Sequence, residues 1–452
     1  MATPASRNPS FVTATKRLAS SLSSARGRDA VRLLPSYLAD ARSVVRYSPE
    51  HPQGALQLGV AESLLLEDWL VPALNRPVSI PANAIYYQPT QGRADFIDTM
   101  ATYIEDLLQL QPLRLKRENL VLGAGCNAVL ENLCFTLAEA GESVLLPTPY
   151  YAAFEFDLVA RAGLRVEPVT THAYHPTKQQ NDAQIYFPNT AALNAAYERC
   201  LQQQSTPKIL LLSHPHNPLG ICYPPSVVQE CIQWCRERQI HLISDEIYAG
   251  SVYGETFVSA LQLADRHDQG LGPYVHWVYA LSKDFALSGL RVGAAYTENE
   301  EIVLPLQKLN DLCCISSTTQ LWTKMILEHE MEGGESWVHA FRRMNHSRLA
   351  QRSAQLTAVL DEFRIPYLTP TAGLFVWIDL SRYLPSDSHL TPSEQERKLY
   401  LELVHTYGLL LTPGLSMKNE QPGFFRCVFT AATEEEFALS LQRLRTFAKE
   451  KS

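Results

Sequence analysis

The sequence YVHWVYALSKD, residues 274–284, reads as a buried strand that ends abruptly in polar residues. Its lysine, Lys283, follows Ser282, and Arg291 comes soon after in the continuation FALSGLRVG. A lysine at the end of a strand is often no more than a solvated residue at a surface turn. A function for Lys283 therefore depends on what the neighbouring strands bring to the same edge of the sheet.

Four other segments have the same character, an apolar and often β-branched run that enters a loop. They are ENLVLGAG (118–125), ESVLLPTPYY (142–151), KILLLSHPHNPLG (208–220) and IHLISDEIY (240–248). Helical patterns such as CNAVLENLCFTLAEA and SVVQECIQWCRERQ lie between several of them. Apolar strands that alternate with helices are typical of an α/β fold with a doubly wound, mostly parallel sheet.

The pattern changes after about residue 315. Long helical segments follow, and then AGLFVWIDL and FFRCVFT as further strands, which predicts a second, smaller α+β domain. We expect an N-terminal arm and part of this small domain at residues 1–58, the large sheet domain at 59–315 and the small C-terminal domain at 316–452.

Composition limits the function classes. The chain has 452 residues, of which 46% are hydrophobic and 19% charged, enough for a large globular core. Lys and Arg number 39 against 47 Asp and Glu, a formal net charge of −8, which argues against nucleic acid as the main partner. The nine cysteines are an odd, scattered set that suits a reducing compartment. Cys231 and Cys235 lack a second ligand pair at zinc spacing, so we interpret them as buried thiols and expect no metal.

The N-terminus leaves location open between two interpretations. The first acidic residue is Asp29, which follows five basic residues in a Ser/Thr/Ala-rich segment; organelle transit peptides and disordered arms share this composition. We expect the cytoplasm, with a mitochondrial transit peptide as the alternative. No run of about 18 apolar residues occurs, so we expect no membrane span.

Polar residues gather where the predicted strands end. HPHNPLG carries Asn217, ISDEIY carries Asp245 and Tyr248, and the next strand carries Lys283. Ligands of open α/β sheets bind beyond the carboxyl ends of the strands. Singly, an aspartate can be a helix cap and an HNP triplet a plain turn, but their convergence on one edge favours a site.

This set of residues suits pyridoxal phosphate. A lysine bonds covalently to the cofactor's aldehyde, and a carboxylate keeps its pyridine nitrogen protonated. Asn217 and Tyr248 can hydrogen-bond the phenolic oxygen, and Tyr151 can stack on the ring. The phosphate requires amide donors and cations, for which the candidates are Gly125, Cys126, Asn127, Ser282 and Arg291.

With these motifs, the chain resembles the fold type I pyridoxal phosphate enzymes of the class I/II aminotransferase superfamily. Within it the chain is most similar to the 1-aminocyclopropane-1-carboxylate (ACC) synthase-like branch, which includes fungal carbon–sulfur lyases. The resemblance is carried by LGVAES (58–63), PTPYYAAFEFDL (147–158), HPHNPLG, ISDEIYAGSVY (243–253), LSKDFALSGLRVGAAY (281–296), AGLFVWIDL (372–380) and PGFFRCVF (422–429).

For the cofactor, the resemblance implies that Lys283 is the covalent anchor and that Asp245 pairs with the pyridine nitrogen. It makes Tyr248 and Asn217 the partners of the phenolic oxygen. We therefore expect Lys283, Tyr248 and Asp245 to be catalytic.

For the substrate, an amino acid, the resemblance implies that Arg426 binds the α-carboxylate, since a planar guanidinium can form two parallel hydrogen bonds with it. Glu62 is expected near the substrate's amino or sulfonium end. The alternatives are a structural ion pair for Arg426 and a helix-start charge for Glu62.

Two departures from the ACC synthase pattern concern the reaction and the phosphate. Where those enzymes have a tyrosine in an F-x-D-Y-H-G segment, this chain has Thr90 in YYQPTQG, with Tyr86 and Tyr87 nearby as alternative phenols. Ala280 stands where the family often has a phosphate-binding serine. We expect Tyr87 and Thr90 to contact substrate from a neighbouring subunit, because the superfamily implies a symmetric homodimer.

Four functions follow as hypotheses. The first is a carbon–sulfur lyase that eliminates a thiol from an S-substituted amino acid such as a cysteine conjugate. The alternatives are an aminotransferase of amino and keto acids, or ACC synthase acting on S-adenosylmethionine. The fourth is a catalytically silent paralogue, against which the presence of Lys283, Asp245, Arg291 and Arg426 together argues.

Overall fold

The computed structural model describes residues 24–451, apart from residues 34, 36, 112–113, 176–181 and 266–269. Most of the basic N-terminal segment, residues 1–23, lies outside the described residues, so the transit-peptide alternative stays a prediction. No helix within the described ranges is both long enough and apolar enough to cross a membrane.

The helices and strands of the described residues are as follows. The α-helices are α1 (Ala25–Arg32), α2 (Tyr37–Ser43), α3 (Glu67–Leu74), α4 (Ala94–Leu107), α5 (Cys126–Leu137), α6 (Phe154–Val159), α7 (Thr190–Gln202), α8 (Pro225–Arg238), α9 (Ala260–Asp265), α10 (Leu281–Asp284), α11 (Glu300–Leu309), α12 (Ser317–Leu327), α13 (Trp337–Glu362), α14 (Pro392–His405) and α15 (Glu434–Glu450). The strands are β1 (Leu56–Gln57), β2 (Leu120–Gly123), β3 (Ser143–Pro147), β4 (Arg165–Val169), β5 (Pro207–Ser213), β6 (His241–Asp245), β7 (Val275–Ala280), β8 (Gly293–Thr297), β9 (Phe375–Asp379), β10 (Leu409–Leu410), β11 (Thr412–Pro413) and β12 (Phe424–Val428).

A seven-stranded sheet forms the large lobe, in the order β2-β8-β7-β6-β5-β3-β4. The neighbours from β7 to β4 are parallel, whereas β8 is antiparallel to both β2 and β7. All residues of β3 and β7 are buried, as expected for a sheet that helices cover on both faces. The predicted α/β fold with a mostly parallel sheet is therefore confirmed.

The sequence patterns miss two strands of this sheet. β8 has the sequence GAAYT, which is too rich in small residues to read as an apolar run. β4 is an edge strand whose sequence, RVEPV, contains two charged residues. Neither strand changes the placement of the predicted site, because β5, β6 and β7 remain adjacent.

The small lobe contains an antiparallel sheet in the order β11-β12-β9. β1, from the N-terminal arm, pairs in parallel with β10 of this lobe, with Leu56 opposite Leu409. α12 packs on α4 of the large lobe as well as on α13. The domain limits at residues 58 and 315 stay a prediction.

All nine cysteines are free thiols. This agrees with their scattered spacing in the sequence, which shows no disulfide framework. Cys231 and Cys235 are buried on α8, so their interpretation as buried thiols is confirmed. In the part of the chain that the structure describes, no group of three or more His, Cys, Asp or Glu side chains could hold a metal ion.

Candidate active site

A cavity of about 390 Å³ opens where the central strands of the large sheet end. Asp245, the last residue of β6, pairs in register with Ser213 at the end of β5 and with Val278 near the end of β7. The parallel arrangement therefore brings the residues that follow these strands to one edge, as the sequence predicts. Residues from both lobes line the cavity, among them Asn217, Asp245, Lys283 and Arg426.

Lys283 lies in α10, the short helix that follows β7. Its Nζ donates a hydrogen bond of 2.6 Å to the carbonyl oxygen of Ala61. Burial, followed by the positive charge of Arg426, lowers the pKa of Lys283 to about 8, while the charge of Glu62 acts in the opposite direction. A lysine with this pKa has a much larger neutral fraction near neutral pH than a solvated one.

Asp245 is a buried carboxylate with few partners. Its Oδ1 accepts a hydrogen bond of 3.2 Å from the backbone N–H of Ile247, and the Sγ of Cys126 lies 3.7 Å from the same oxygen. Burial raises the pKa of Asp245 to about 6, so the group is mostly ionised at neutral pH. A buried negative charge of this kind favours a cationic partner, such as a protonated ring nitrogen.

Arg426 lies on β12 and is 2% exposed. Its Nη1 donates to Asn217 Oδ1 at 2.8 Å, and its Nη2 donates to the carbonyl oxygen of Gly59 at 2.6 Å. Among the described residues, nothing accepts a hydrogen bond from its buried Nε. Because buried donors are normally paired, this unpaired N–H fits a ligand with an anionic acceptor.

Asn217 is oriented by the same contact. Since its Oδ1 accepts from Arg426, the Nδ2 donor lies on the other side of the amide. The backbone N–H of Asn217 is held by Ser213 Oγ at 3.3 Å. An amide donor fixed in this way is suited to a phenolic oxygen.

The turn before α5 and the residue Arg291 form the part of the site predicted for a phosphate. Gly125 caps α5 with a φ of 92°, a left-handed conformation that glycine tolerates. A Cβ at this position would clash with Arg291 Nη2, so only glycine admits the guanidinium here. Arg291 donates to Asn127 Oδ1 at 2.8 Å and to the Ser288 carbonyl at 2.9 Å. Cys126, Asn127 and Ser282 line the cavity beside it.

Two tyrosines complete the walls around the predicted ring position. Tyr151 and Tyr248 both line the cavity. Burial, as the main cause, raises the pKa of each phenol above its usual value, so both are protonated hydrogen-bond donors at neutral pH. The ring of Tyr248 stands edge-on to Phe375, with 5.4 Å between the centroids.

Three predicted substrate residues lie outside the lining of this cavity. Glu62 accepts a hydrogen bond of 3.3 Å from Ser288 Oγ, at the rim. Thr90 donates its hydroxyl to the Gln307 carbonyl at 2.7 Å, and Tyr87 is fully exposed. The predicted substrate contacts of Tyr87 and Thr90 are therefore not made within one chain and depend on the predicted dimer.

The sequence interpretation misses two side chains of the site. Tyr37, on α2 of the N-terminal arm, lines the cavity together with Leu38, and no motif marks it. Asp157, on α6, also lines the cavity; burial, followed by the charge of Asp245, raises its pKa to about 7. Its signal was a carboxylate within the mostly apolar and aromatic stretch PTPYYAAFEFDL.

These residues fit pyridoxal phosphate. A carboxylate could accept a hydrogen bond from the Nε of Arg426, which has no partner among the described residues. A phosphate could bind beside Arg291, for which Gly125 leaves room. Lys283, with its lowered pKa, and the buried Asp245 supply the amine and the carboxylate that the cofactor requires. The site can therefore bind an anionic amino acid beside the cofactor and exchange protons with it.

Comparison with known proteins gives concordant results. A family model described as aminotransferase class I and II matches residues 62–444. ACC synthase 6 of Arabidopsis thaliana is 31% identical over 413 residues, which cover 89% of this chain and 79% of the relative. ACC synthase 1 of Oryza sativa subsp. indica is 33% identical, and the match covers 88% of this chain and 81% of the relative. A solved aspartate aminotransferase from Thermotoga maritima has a TM-score of 0.70 and 18% identity, and the match covers 94% of this chain and 100% of that structure. At this identity the likeness concerns the fold.

Proposed function

We propose that this chain, which belongs to the aminotransferase class I and II family and is a pyridoxal phosphate enzyme, is a carbon–sulfur lyase. Its substrate would be an S-substituted amino acid such as a cysteine conjugate. The environment of Thr90 is the observation that favours thiol elimination over ring closure.

Thr90 is held within its own subunit. Its hydroxyl donates to the Gln307 carbonyl at 2.7 Å, and Asn310 Nδ2 donates to the Thr90 carbonyl. A short β-branched side chain that is already hydrogen-bonded cannot extend as a phenol would. In the proposed dimer, where Thr90 would face the neighbouring site, the pocket beside the substrate's Cβ and Cγ would then be wider and less able to hold a sulfonium for ring closure.

The residues of the cavity have distinct roles in this proposal. Bound pyridoxal phosphate supplies an electron sink that makes the α-proton of the substrate removable. Lys283, Asp245, Tyr248, Asn217 and Tyr151 would hold its ring, and Gly125, Cys126, Asn127, Ser282 and Arg291 its phosphate. Arg426 would bind the substrate α-carboxylate through its unpaired Nε and one further N–H.

Lys283 would act as the base for elimination. The neutral form of its amine, favoured by the lowered pKa of about 8, accepts the proton from Cα. The electron pair left by that proton forms a Cα–Cβ double bond as the Cβ–S bond breaks, and the thiolate leaves and is protonated. Water then hydrolyses the three-carbon product to pyruvate and ammonia.

Two alternative reactions have specific support. ACC synthase activity is favoured by relatives of that name at 31% and 33% identity and by Glu62 at the cavity rim. Aminotransferase activity is favoured by the matching family model, which is described as aminotransferase class I and II. All three reactions begin with removal of the α-proton, so the fate of the substrate after that step separates them.

A symmetric homodimer is part of the proposal. Large apolar side chains are exposed on one short segment, and Ile85 and Tyr86 are 75% and 69% exposed. Monomeric proteins seldom expose such a concentration of apolar surface. A second copy covering Tyr86 and Tyr87 would also bring this segment to the neighbouring site. We further propose a cytoplasmic location, which the free thiols support.

The test is to incubate the purified enzyme separately with a cysteine S-conjugate, with S-adenosylmethionine, and with an amino acid plus 2-oxoglutarate. We expect equimolar thiol and pyruvate from the first, little aminocyclopropane carboxylate from the second and little glutamate from the third, measured by mass spectrometry. Efficient ring closure or stoichiometric glutamate without thiol release would replace the proposal by the corresponding alternative.

Thr90→Val provides a matched variant, because it keeps the shape of the side chain and removes the hydroxyl. We expect its lyase activity to stay close to that of the wild type. A loss of lyase activity without a loss of stability would mean that the Thr90 hydroxyl takes part in the reaction.

A further inference from the structure

A buried carboxylate, Asp284, links the two segments that carry Lys283 and Tyr248. It follows Lys283 directly and is 4% exposed. Its Oδ2 accepts hydrogen bonds from the backbone N–H of Gly250 at 2.6 Å and from Tyr279 OH at 2.9 Å. Its Oδ1 accepts from Ser251 Oγ at 2.6 Å.

From these contacts we infer that Asp284 is a positioning residue, which fixes the backbone beneath Lys283 relative to the turn that begins at Tyr248. The inference rests on the proposed roles of Lys283 and Tyr248 in the cavity. Asp284 itself is not among the residues that line the cavity, so it acts through these two side chains.

The turn on the other side of the contact is built for close approach. A Cβ on Gly250 would lie 2.7 Å from Asp284 Oδ2, so the residue must be glycine for the hydrogen bond to form. The turn is also closed by the bond from the Ser251 N–H to the Tyr248 carbonyl at 2.9 Å. The position of Tyr248 therefore follows the position of Gly250 and Ser251.

The segment that carries Lys283 needs such an external support. α10 has only four residues, too few to be rigid by its own hydrogen bonds. Asp284 ties it to β7 through Tyr279, whose hydroxyl also meets Tyr103 OH at 2.8 Å, and Asn345 Nδ2 donates to the Asp284 carbonyl at 3.3 Å. Polar contacts therefore hold this end of the helix on three sides.

The electrostatic coupling has the same direction. Burial is the main cause that raises the pKa of Tyr248 and the charge of Arg426 lowers it, while the negative charge of Asp284 is a smaller cause that raises it. Burial also raises the pKa of Asp284 itself to about 7, against hydrogen bonds that lower it. The carboxylate is thus close enough to influence a cavity side chain as well as the backbone.

The test compares Asp284→Asn, Ser251→Ala and a matched control, Glu396→Gln. Asparagine keeps the size of the side chain but removes the negative charge and replaces one acceptor oxygen by an N–H₂ group, which then faces either Ser251 Oγ or the Gly250 N–H and Tyr279 OH. Ser251→Ala removes a single donor and is the milder change. Glu396 is a carboxylate of the small lobe that is about as buried as Asp284. It accepts hydrogen bonds from the backbone N–H groups of Leu415 and Gly423 at 2.9 and 2.8 Å.

Each variant is loaded with pyridoxal phosphate and measured for melting temperature, for kcat/KM and for the pH midpoint of the visible absorption band. For Asp284→Asn we expect kcat/KM to fall on the order of 100-fold, since small displacements of reacting groups have effects of this size. The band midpoint should shift by about half a pH unit, and Ser251→Ala should change both in the same direction but less. Glu396→Gln should lower only the melting temperature.

Combining Ser251→Ala with Tyr248→Phe tests whether Tyr248 transmits the effect. We expect the effect of Ser251→Ala to shrink in the Tyr248→Phe background, because coupled residues are not additive. Full additivity would overturn the part of the inference that concerns Tyr248. If Asp284→Asn and Ser251→Ala both behave like Glu396→Gln, the inference as a whole is wrong. If Asp284→Asn does not fold, Ser251→Ala decides. Borohydride reduction of the loaded enzyme fixes the cofactor to the lysine that it has bonded to. A label on a lysine other than Lys283 would overturn the proposed function as well, whereas the other negative outcomes concern Asp284 and leave the proposed function intact.

Discussion

Replacement of Arg426 by lysine is the sharpest test of how the cavity recognises a carboxylate. Arg426 already donates to Asn217 Oδ1 and to the Gly59 carbonyl, and its Nε is buried without a partner among the described residues. Lysine keeps the positive charge but has a single nitrogen. It cannot hold both internal partners and also form two parallel hydrogen bonds with a carboxylate.

The expected loss follows from the number of hydrogen bonds. A hydrogen bond to a charged group contributes about 1.5–3 kcal/mol. Arginine can make two such bonds to the α-carboxylate and lysine at most one. The difference corresponds to about a 10- to 150-fold loss of affinity for a ligand that carries the α-carboxylate, at about 1.4 kcal/mol for each tenfold change.

The assay uses two ligands that differ only in the α-carboxylate, a cysteine S-conjugate and the amine that lacks this group. Affinities are measured from the change in the visible absorption of the loaded enzyme on titration. Wild type should prefer the carboxylate ligand, and Arg426→Lys should lose most of this preference. Arg352→Lys is the control, because Arg352 is also buried but pairs with Glu434 at 2.7 Å in the small lobe.

The result that would refute this reasoning is an equal loss of affinity for both ligands. Arg426 would then act only by supporting Asn217 and Gly59 from within the protein. The structural ion-pair or hydrogen-bonding alternative for Arg426 would replace its proposed role as the carboxylate ligand.

Four further predictions concern the cofactor and the assembly. The loaded wild type should be yellow and borohydride should fix the cofactor to Lys283, whereas Lys283→Ala should lose the label and all turnover; a colourless wild type in excess cofactor would contradict this. Covalent attachment should accelerate as pH rises through about 8, because burial and then Arg426 lower the pKa of Lys283 and only the neutral amine reacts; a stopped-flow midpoint near 10 would count against it. Asp245→Asn should still bind the cofactor but lose roughly 100-fold or more in kcat, because a neutral amide does not stabilise a protonated ring nitrogen; unchanged kcat would remove Asp245 from this role. Light scattering should give a dimer of the 50.7 kDa chain, and a mixed dimer of Lys283→Ala with a Tyr86 and Tyr87 double variant should regain activity; no complementation would mean that these tyrosines do not serve the neighbouring site.

The sequence predicted the central part of the site because a parallel sheet has a simple geometry. Successive strands of such a sheet end on the same side, so Asn217, Asp245 and Lys283 had to lie at one edge once β5, β6 and β7 were recognised. The helix start at Gly125 could also be predicted, since a glycine between an apolar strand and a helical pattern marks a turn.

Strands without an apolar run could not be predicted in this way. β8 consists mostly of small residues, and its place between β2 and β7 is fixed by pairing with strands on both sides. The edge strand β4 likewise forms because β3 offers it a partner. In both cases non-local hydrogen bonding overrides a weak local pattern.

The sequence by itself determined the fold class and supplied the residues that we propose for the pyridoxal phosphate site, because strand periodicity and residue chemistry are local properties. Only the tertiary structure decided how they act together. It brought Gly59, Asn217 and Arg426 into hydrogen-bonding contact from three distant segments and placed Tyr37 of the N-terminal arm in the cavity wall. It also lowered the pKa of Lys283, since both burial and the nearness of Arg426 exist only in the folded chain.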